Sequence, residues 1–331
     1  MLSIIVAVHN QLGHNQLFLD GIKTYTTGPY ELIVVDNHST DGSAEFFESH
    51  GCRVIRNRAN LCYPESMNLG SGMARGDLLC HINNDLYVAP GWDAALRAAM
   101  DRHKLDAASP LGLEMMPSRE LTDWMQGRWA SIGQGRLSSG KSVDDLRAMV
   151  RAMYGDWELY CQEVSRAFAG TLYEGIIGSC VLIRRDAYER IGRLDERVQA
   201  ADWDLYYTLK KREGALGDVR RCMVVGDIFV HHFIRATVKG QREPFACTHE
   251  RWSIDRKWDK AEQAALWCKP KEFAAAAWGG RLKGRIIKPL QKLVRELDRA
   301  SVWRRRWADP RHVVDRFRTK FAAVPTQSVT D

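Results

Sequence analysis

The chain has 331 residues, 45% hydrophobic and 27% charged, ordinary proportions for a soluble globular protein with room for a large core. No uninterrupted apolar run approaches the ~18 residues of a membrane-spanning helix. Residues 1–8 lack a basic flank and a small-residue cleavage site, so they read as a strand and not as a signal peptide. The net charge of +7 is unevenly placed. Residues 241–331 hold 21 Lys and Arg against 11 Asp and Glu, a net of +10, which leaves 27 against 30 for residues 1–240. A near-neutral body thus precedes a basic tail, and the asymmetry predicts a tail that meets an anionic surface. The eight cysteines (52, 62, 80, 161, 180, 222, 247 and 268) show no paired metal-ligand spacing. They read as reduced thiols of a cytoplasmic protein.

In chain order, residues 2–8, 31–36, 52–56 and 77–82 read as strands, the first as a continuous apolar run. Helical patterns at 14–26, 41–50 and 63–75 lie between them. That alternation predicts an α/β fold with a doubly wound, parallel sheet, in which ligands bind beyond the carboxyl ends of the strands. Those ends read His9-Asn10, Asp36-Asn37-His38, Asn57 and Asn83-Asn84-Asp85, and every one is polar. Residues 115–140, rich in Gly, Ser, Arg and Trp, read as loop, and 143–168 as helical. A strand at 175–183, helices at 185–191 and 202–212, and a strand at 223–230 ending on His231-His232 complete the body. From 241 onward the pattern is mostly helical. Leu290, Leu293, Val294, Leu297 and Ala300 share one helical face, either packed on the chain's own domain or laid on anionic lipid. No nucleic-acid motif accompanies the charge.

Residues 3–10 (Ser-Ile-Ile-Val-Ala-Val-His-Asn), the run Leu32 to Ser43 with Asp36 inside it, Asn60, Asn68-Leu-Gly70 and Asn83-Asn84-Asp85 follow one another in register. Gly192-Arg-Leu-Asp-Glu196 and Ala201-Asp-Trp-Asp-Leu205 come after them. In motif order and spacing, residues 1–240 resemble family 2 inverting glycosyltransferases of the GT-A fold, of the bacterial polysaccharide and rhamnosyltransferase-like kind. The resemblance implies a donor-binding half at 1–105 and an acceptor-binding, catalytic half at 106–240 of one GT-A domain, with 241–331 a basic helical extension outside it.

It also implies roles. Asp85 is the metal-binding acid of a DxD-type motif that here keeps its last carboxylate alone, and one of His231 and His232 completes the site; adjacent strand residues face opposite ways, so one alone reaches it. The cation expected is Mn²⁺ or Mg²⁺, which neutralises the charge on a departing diphosphate. Asp36 reads the nucleotide base, with Ala7, Val8 and His9 beside it, and Cys62, Asn68, Asn83 and Asn84 line the donor side. Asp202 is the base that deprotonates the acceptor hydroxyl, and Gly178, Ser179 and Trp203 line the acceptor side. The partners implied are a UDP- or dTDP-sugar and a saccharide acceptor, in a cytoplasmic setting at the inner face of the cell membrane. A sugar-phosphate nucleotidyltransferase would want a basic, Gly-rich loop after the first strand, where residues 8–14 carry no Lys or Arg. A non-catalytic sugar- or membrane-binding protein on a degenerate transferase fold is the reading that Asn83 and Ala201, each replacing a family acid, keep open.

Overall fold

The structure, a computed structural model, describes residues 1–133, 141–234 and 244–267. The expected tail helices, with the apolar face from Leu290 to Ala300, lie outside the described residues. No helix among the described residues is long and apolar enough to cross a membrane.

Three βα units open the chain: β1 Leu2–Val8 and α1 Leu12–Tyr25, β2 Tyr30–Asp36 and α2 Ser43–Ser49, β3 Arg53–Arg56 and α3 Tyr63–Met73. Then come β4 Leu78–Asn83, β5 Leu86–Val88, α4 Trp92–His103 and β6 Ala107–Leu111. Helices α5 Arg119–Gly133, α6 Val143–Tyr154 and α7 Trp157–Phe168 follow. The rest is β7 Leu172–Glu174, β8 Cys180–Arg184, α8 Arg185–Arg190, α9 Ala201–Leu216, β9 Cys222–His232, α10 Ile254–Lys257 and α11 Lys260–Leu266.

The strands form one sheet in the order β3-β2-β1-β4-β8-β6-β9-β5, with β7 also on β9. The expected parallel arrangement holds for β1 to β4. Beyond β4 the sheet turns mixed: β8 runs antiparallel to β4 and β6, β9 parallel to β6, and β5 antiparallel to β9. The parallel strands are buried on both faces, which is why they read as continuous apolar runs: Ile4, Ile5, Val6, Ile33, Val34 and Val35 are fully enclosed.

The expectation of a loop over 115–140 is corrected by α5 over residues 119–133, while 134–140 lie outside the described residues. Leu121, Met125 and Trp129 recur every four residues and bury one helical stripe, and that spacing outweighs the local Gly and Ser. The single helix expected over 143–168 is two. Gly155 ends α6 at φ 74°, and the Asp156 carboxylate caps α7 by accepting the Leu159 N–H at 2.9 Å. The strand expected from 175 begins at Cys180, because residues 175–179 form a turn between β7 and β8.

Residues 244–267 return to the body. Ala246 N–H donates to the Asn60 carbonyl at 2.8 Å, Trp252 N–H to that of Arg197 at 2.7 Å, and Lys257 and Trp258 both donate to the buried Asp204 carboxylate. This return also pairs Cys62 with Cys247 in a disulfide at a Cα separation of 5.3 Å. Reduced thiols throughout were expected; a pairing across 185 positions has no signature in sequence spacing.

Helix α3 lies close on β1 and β2 at Gly70, where an added Cβ would stand 2.4 Å from Ile5 Cγ2 and 3.0 Å from Val35 Cγ2. Both neighbours are fully buried. Gly70→Ala is expected to lose roughly 1–3 kcal/mol of stability through overpacking, despite alanine's better helix propensity. A urea midpoint at or above the wild-type value would contradict this close packing.

Candidate active site

The carboxyl ends of β1 and β2 build the first wall. After Val8 the chain turns through two non-glycine residues in the left-handed region, Asn10 (φ 57°) and Gln11 (φ 67°), and β2 is followed by a third, His38 (φ 63°). Such conformations cost on the order of 1 kcal/mol each and persist where surrounding contacts impose them. Here the two turns staple each other: Asn10 N–H donates to Ser39 Oγ, Asn10 Oδ1 accepts the Thr40 N–H, and Asp41 accepts the Leu12 N–H. Asp36 sits between them, 2% exposed. Its Oδ2 accepts the Ser39 N–H, while its Oδ1 is buried without a hydrogen-bond partner. An unpaired buried carboxylate oxygen is costly and fits a donor brought by a bound molecule, such as a base imide N–H. His9 Nδ1 is 2.7 Å from the Asn37 carbonyl, so the ring is held at the rim, and Ala7 packs half-buried on the core. Val8 is enclosed in the sheet, and its carbonyl already accepts the Asn37 N–H, which removes it from the expected contacts.

Three other expected donor residues are structural. Cys62 is fully buried, caps α3 and is bonded to Cys247. Asn68 spends its amide on the loop before α9: Nδ2 donates to the Leu194 carbonyl and Glu196, and Oδ1 accepts from the Tyr188 hydroxyl and the Leu194 N–H. Asn84 points away, its Nδ2 donating to Asn15 Oδ1 at 2.7 Å, and Asn15 in turn donates to Ser43 Oγ and the Asn10 carbonyl. That buried relay ties the end of β4 to the turns of the first wall. Asn83 remains at the rim, half-buried, its N–H on the Ser179 carbonyl.

Asp85 occupies the turn between β4 and β5, 4% exposed. β5 pairs with the end of β9, Leu86 opposite His232, and the Phe233 N–H donates to the Asp85 carbonyl. This pairing brings His232 Nε2 to 3.1 Å from Asp85 Oδ1, an oxygen with no aligned hydrogen bond. The other ring nitrogen of His232 contacts Glu114. Burial alone would raise the Asp85 carboxyl, but His232 and His14 beside it hold it below the usual carboxylate range. Burial alone would lower His232, and its two carboxylate neighbours outweigh burial and raise it well above an ordinary histidine. His231 points to the opposite face, among Trp129, Tyr154 and Phe233, with the Tyr154 hydroxyl 2.8 Å from its Nδ1. Burial drives it down to about 3. Of the two histidines, then, His232 is the one beside Asp85, and His231 belongs to the aromatic core.

Glu114 is a residue the sequence reading missed. It lies just before the stretch read as loop and meets His232 across 118 positions. An oxygen of Asp85 with an imidazole suits a divalent cation such as Mn²⁺, and a carboxylate behind the ligating histidine is a common way to fix the ring.

Asp202 stands in the first turn of α9, where helix-end N–H groups meet its carboxylate; the Trp203 N–H donates to Oδ1 at 2.9 Å. Burial nevertheless raises its carboxyl above the usual range, and the charge of Glu114 adds to that rise. Gly178 touches it: a Cβ at 178 would come within 2.2 Å of Asp202 Oδ2. Next to it, Ser179 Oγ is buried without a partner. Trp203, 36% exposed, packs its ring against Trp267 at 4.5 Å between centroids.

The sequence profile of glycosyl transferase family 2 matches residues 3–192. A Haemophilus influenzae protein described as an uncharacterized glycosyltransferase is 34% identical over 86 residues, 26% of this chain and 29% of its own length. The match thus spans under a third of that relative. The solved structure of GalNAc-T7 with UDP, GalNAc and Mn²⁺ aligns with a TM-score of 0.50 at 15% identity, over 89% of this chain and 54% of that one. The mannosyltransferase PcManGT of Pyrobaculum calidifontis, solved with GDP-Man and Mn²⁺, aligns over 98% and 88% at 14% identity, with a TM-score of 0.46. The architecture that this chain shares with GalNAc-T7 is the mixed α/β fold of the GT-A type.

Gly178→Ala is expected to displace Asp202 and lower any Asp202-dependent activity about 100-fold, the usual cost of a misplacement near 1 Å. The added Cβ would also stand 2.3 Å from Asp202 Cβ, so the thermal unfolding midpoint should fall as well. Unchanged activity would show that residue 178 does not position Asp202.

Proposed function

Because the chain belongs to glycosyl transferase family 2, we propose that it transfers a sugar from a nucleoside diphosphate donor to a hydroxyl of a saccharide acceptor, with inversion at the anomeric carbon. The observation that carries this reading is the buried pair of Asp85 and His232 at one strand end, with Asp202 on the neighbouring helix. Asp85 and His232 are the residues that would hold a divalent cation, which when bound neutralises the charge growing on the diphosphate. Glu114 keeps the His232 ring turned toward Asp85. Asp36 offers its unpartnered oxygen to the base of the nucleotide, and UDP or dTDP supplies the imide N–H that it accepts.

Asp202 takes the proton of the acceptor hydroxyl. As that oxygen bonds to the anomeric carbon, the bond from this carbon to the diphosphate oxygen breaks, and the electron pair leaves with the nucleotide. A carboxylate works as a base when ionised, so its raised pKa places the acid limb of kcat/KM above the ordinary carboxylate range. A cleft carboxyl raised by burial is closer in strength to the proton it takes, which suits a base working near neutrality.

Two measurements test these roles. In a thermal-shift panel of UDP, dTDP, GDP and CMP with and without Mn²⁺, wild type is expected to respond to UDP or dTDP with the metal, and Asp85→Asn to lose the metal-dependent part. An unchanged response in Asp85→Asn removes Asp85 as a ligand. Asp202→Asn should keep the nucleotide response and lower transfer by about 10²–10⁴-fold; full transfer by this variant rules Asp202 out as the base.

Glu114→Gln should weaken the Mn²⁺ dependence of nucleotide binding by roughly 10–100-fold, as expected when the partner of a ligating histidine is lost. Equal Mn²⁺ affinity in this variant would leave Glu114 without a part in holding His232.

A further inference from the structure

A second set of metal-ligating side chains converges at the N-terminus of α3, on residues other than Asp85, His232 and Asp202. Cys62 Sγ, the Glu65 carboxylate and Cys247 Sγ lie within 4.8 Å of one another, and so do Glu65, Glu196 and the His249 imidazole. Glu65 belongs to both groups and is 6% exposed. Its Oε1 accepts from the Thr248 N–H and hydroxyl, and its Oε2 accepts the Cys62 N–H at 3.2 Å, which leaves Oε2 one further acceptor direction. Glu196 is fixed by Asn68 and engages one ring nitrogen of His249 at 3.0 Å, beside Glu65.

We propose that the reduced chain binds a Zn²⁺ ion on Cys62, Cys247 and Glu65, with His249 drawn in from its place beside Glu65 as the fourth ligand, and that the disulfide is the metal-free, oxidised form of the same site. Two thiolates with an imidazole and a carboxylate form a four-ligand set that selects Zn²⁺, whereas Mn²⁺ and Mg²⁺ prefer all-oxygen surroundings. Glu196 stands behind His249 as the carboxylate partner that orients a ligating ring. Interconversion needs a two-electron reductant: a dithiol, for instance, gives two electrons and two protons to the Cys62–Cys247 bond and becomes a disulfide itself. Zn²⁺ then displaces the two thiol protons to solvent. In either form, residues 246–249 are pinned to the start of α3 and, through Glu196, to the loop before α9.

The test uses the full-length chain, with and without reduction by a phosphine. Reduction is expected to release two thiols under native conditions. The reduced chain should then take up one equivalent of Cd²⁺ with a thiolate-to-cadmium charge-transfer absorption, and Zn²⁺ should displace it. Cys247→Ser, at a half-buried position that tolerates the change, should abolish the band, and Cys62→Ser likewise where it folds. Glu65→Gln and His249→Ala should weaken Cd²⁺ binding by on the order of tenfold or more while the thiol count stays the same. The unreduced chain should give no band. A folded, reduced chain without the band, a band of equal size in Cys247→Ser, or no release of thiols overturns the proposal. Asp85 and Asp202 take no part in this readout, so either outcome leaves the transferase reading to its own experiments.

Discussion

A carboxylate enclosed at the end of a strand is the constraint around which this fold is arranged. Desolvation works against Asp85 in its charged form, and a buried charge is tolerated when it is matched in place. The match is His232, delivered by antiparallel pairing of β5 with the far end of β9 and steadied from behind by Glu114. β9 runs parallel to β6 and, across the reversed β8, in the same direction as β4, so its carboxyl end reaches the edge of the sheet where β4 ends.

The two walls of the cleft use different physics. On the side of β1 and β2, backbone strain at Asn10, Gln11 and His38 is held by side-chain hydrogen bonds between neighbouring turns, and the Asn84–Asn15–Ser43 relay extends the tie to β4. On the side of α9, space does the positioning: the absence of a side chain at Gly178 leaves the volume that Asp202 fills. The first wall leaves a carboxylate oxygen of Asp36 unpaired, and the second leaves Ser179 Oγ unpaired. Both are the kind of debt a fold carries where a bound molecule completes it.

How much of this could be read from residues alone depends on the range of the interaction. The positions of Asp36, Asp85 and Asp202 in the fold were legible because each lies at an abrupt end of an apolar run or at a helix start, and such ends converge in an α/β sheet. The choice between His231 and His232 was not legible, since strand alternation says that the two differ without saying which faces inward. Glu114, Asn68 and Cys62 were missed or misassigned for a shared reason: their partners lie 118, 126 and 185 positions away, and no local pattern encodes such contacts. Helix α5 was hidden differently, behind Gly and Ser that mask a four-residue apolar spacing.

The distance between positions 85 and 232 also bears on folding. The strand that covers the Asp85 carboxylate comes 147 positions later in the chain, so its enclosure depends on a long-range closure. One strand pairing both encloses the charge and supplies its counter-charge, so a chain that makes the pairing never holds a bare buried carboxylate.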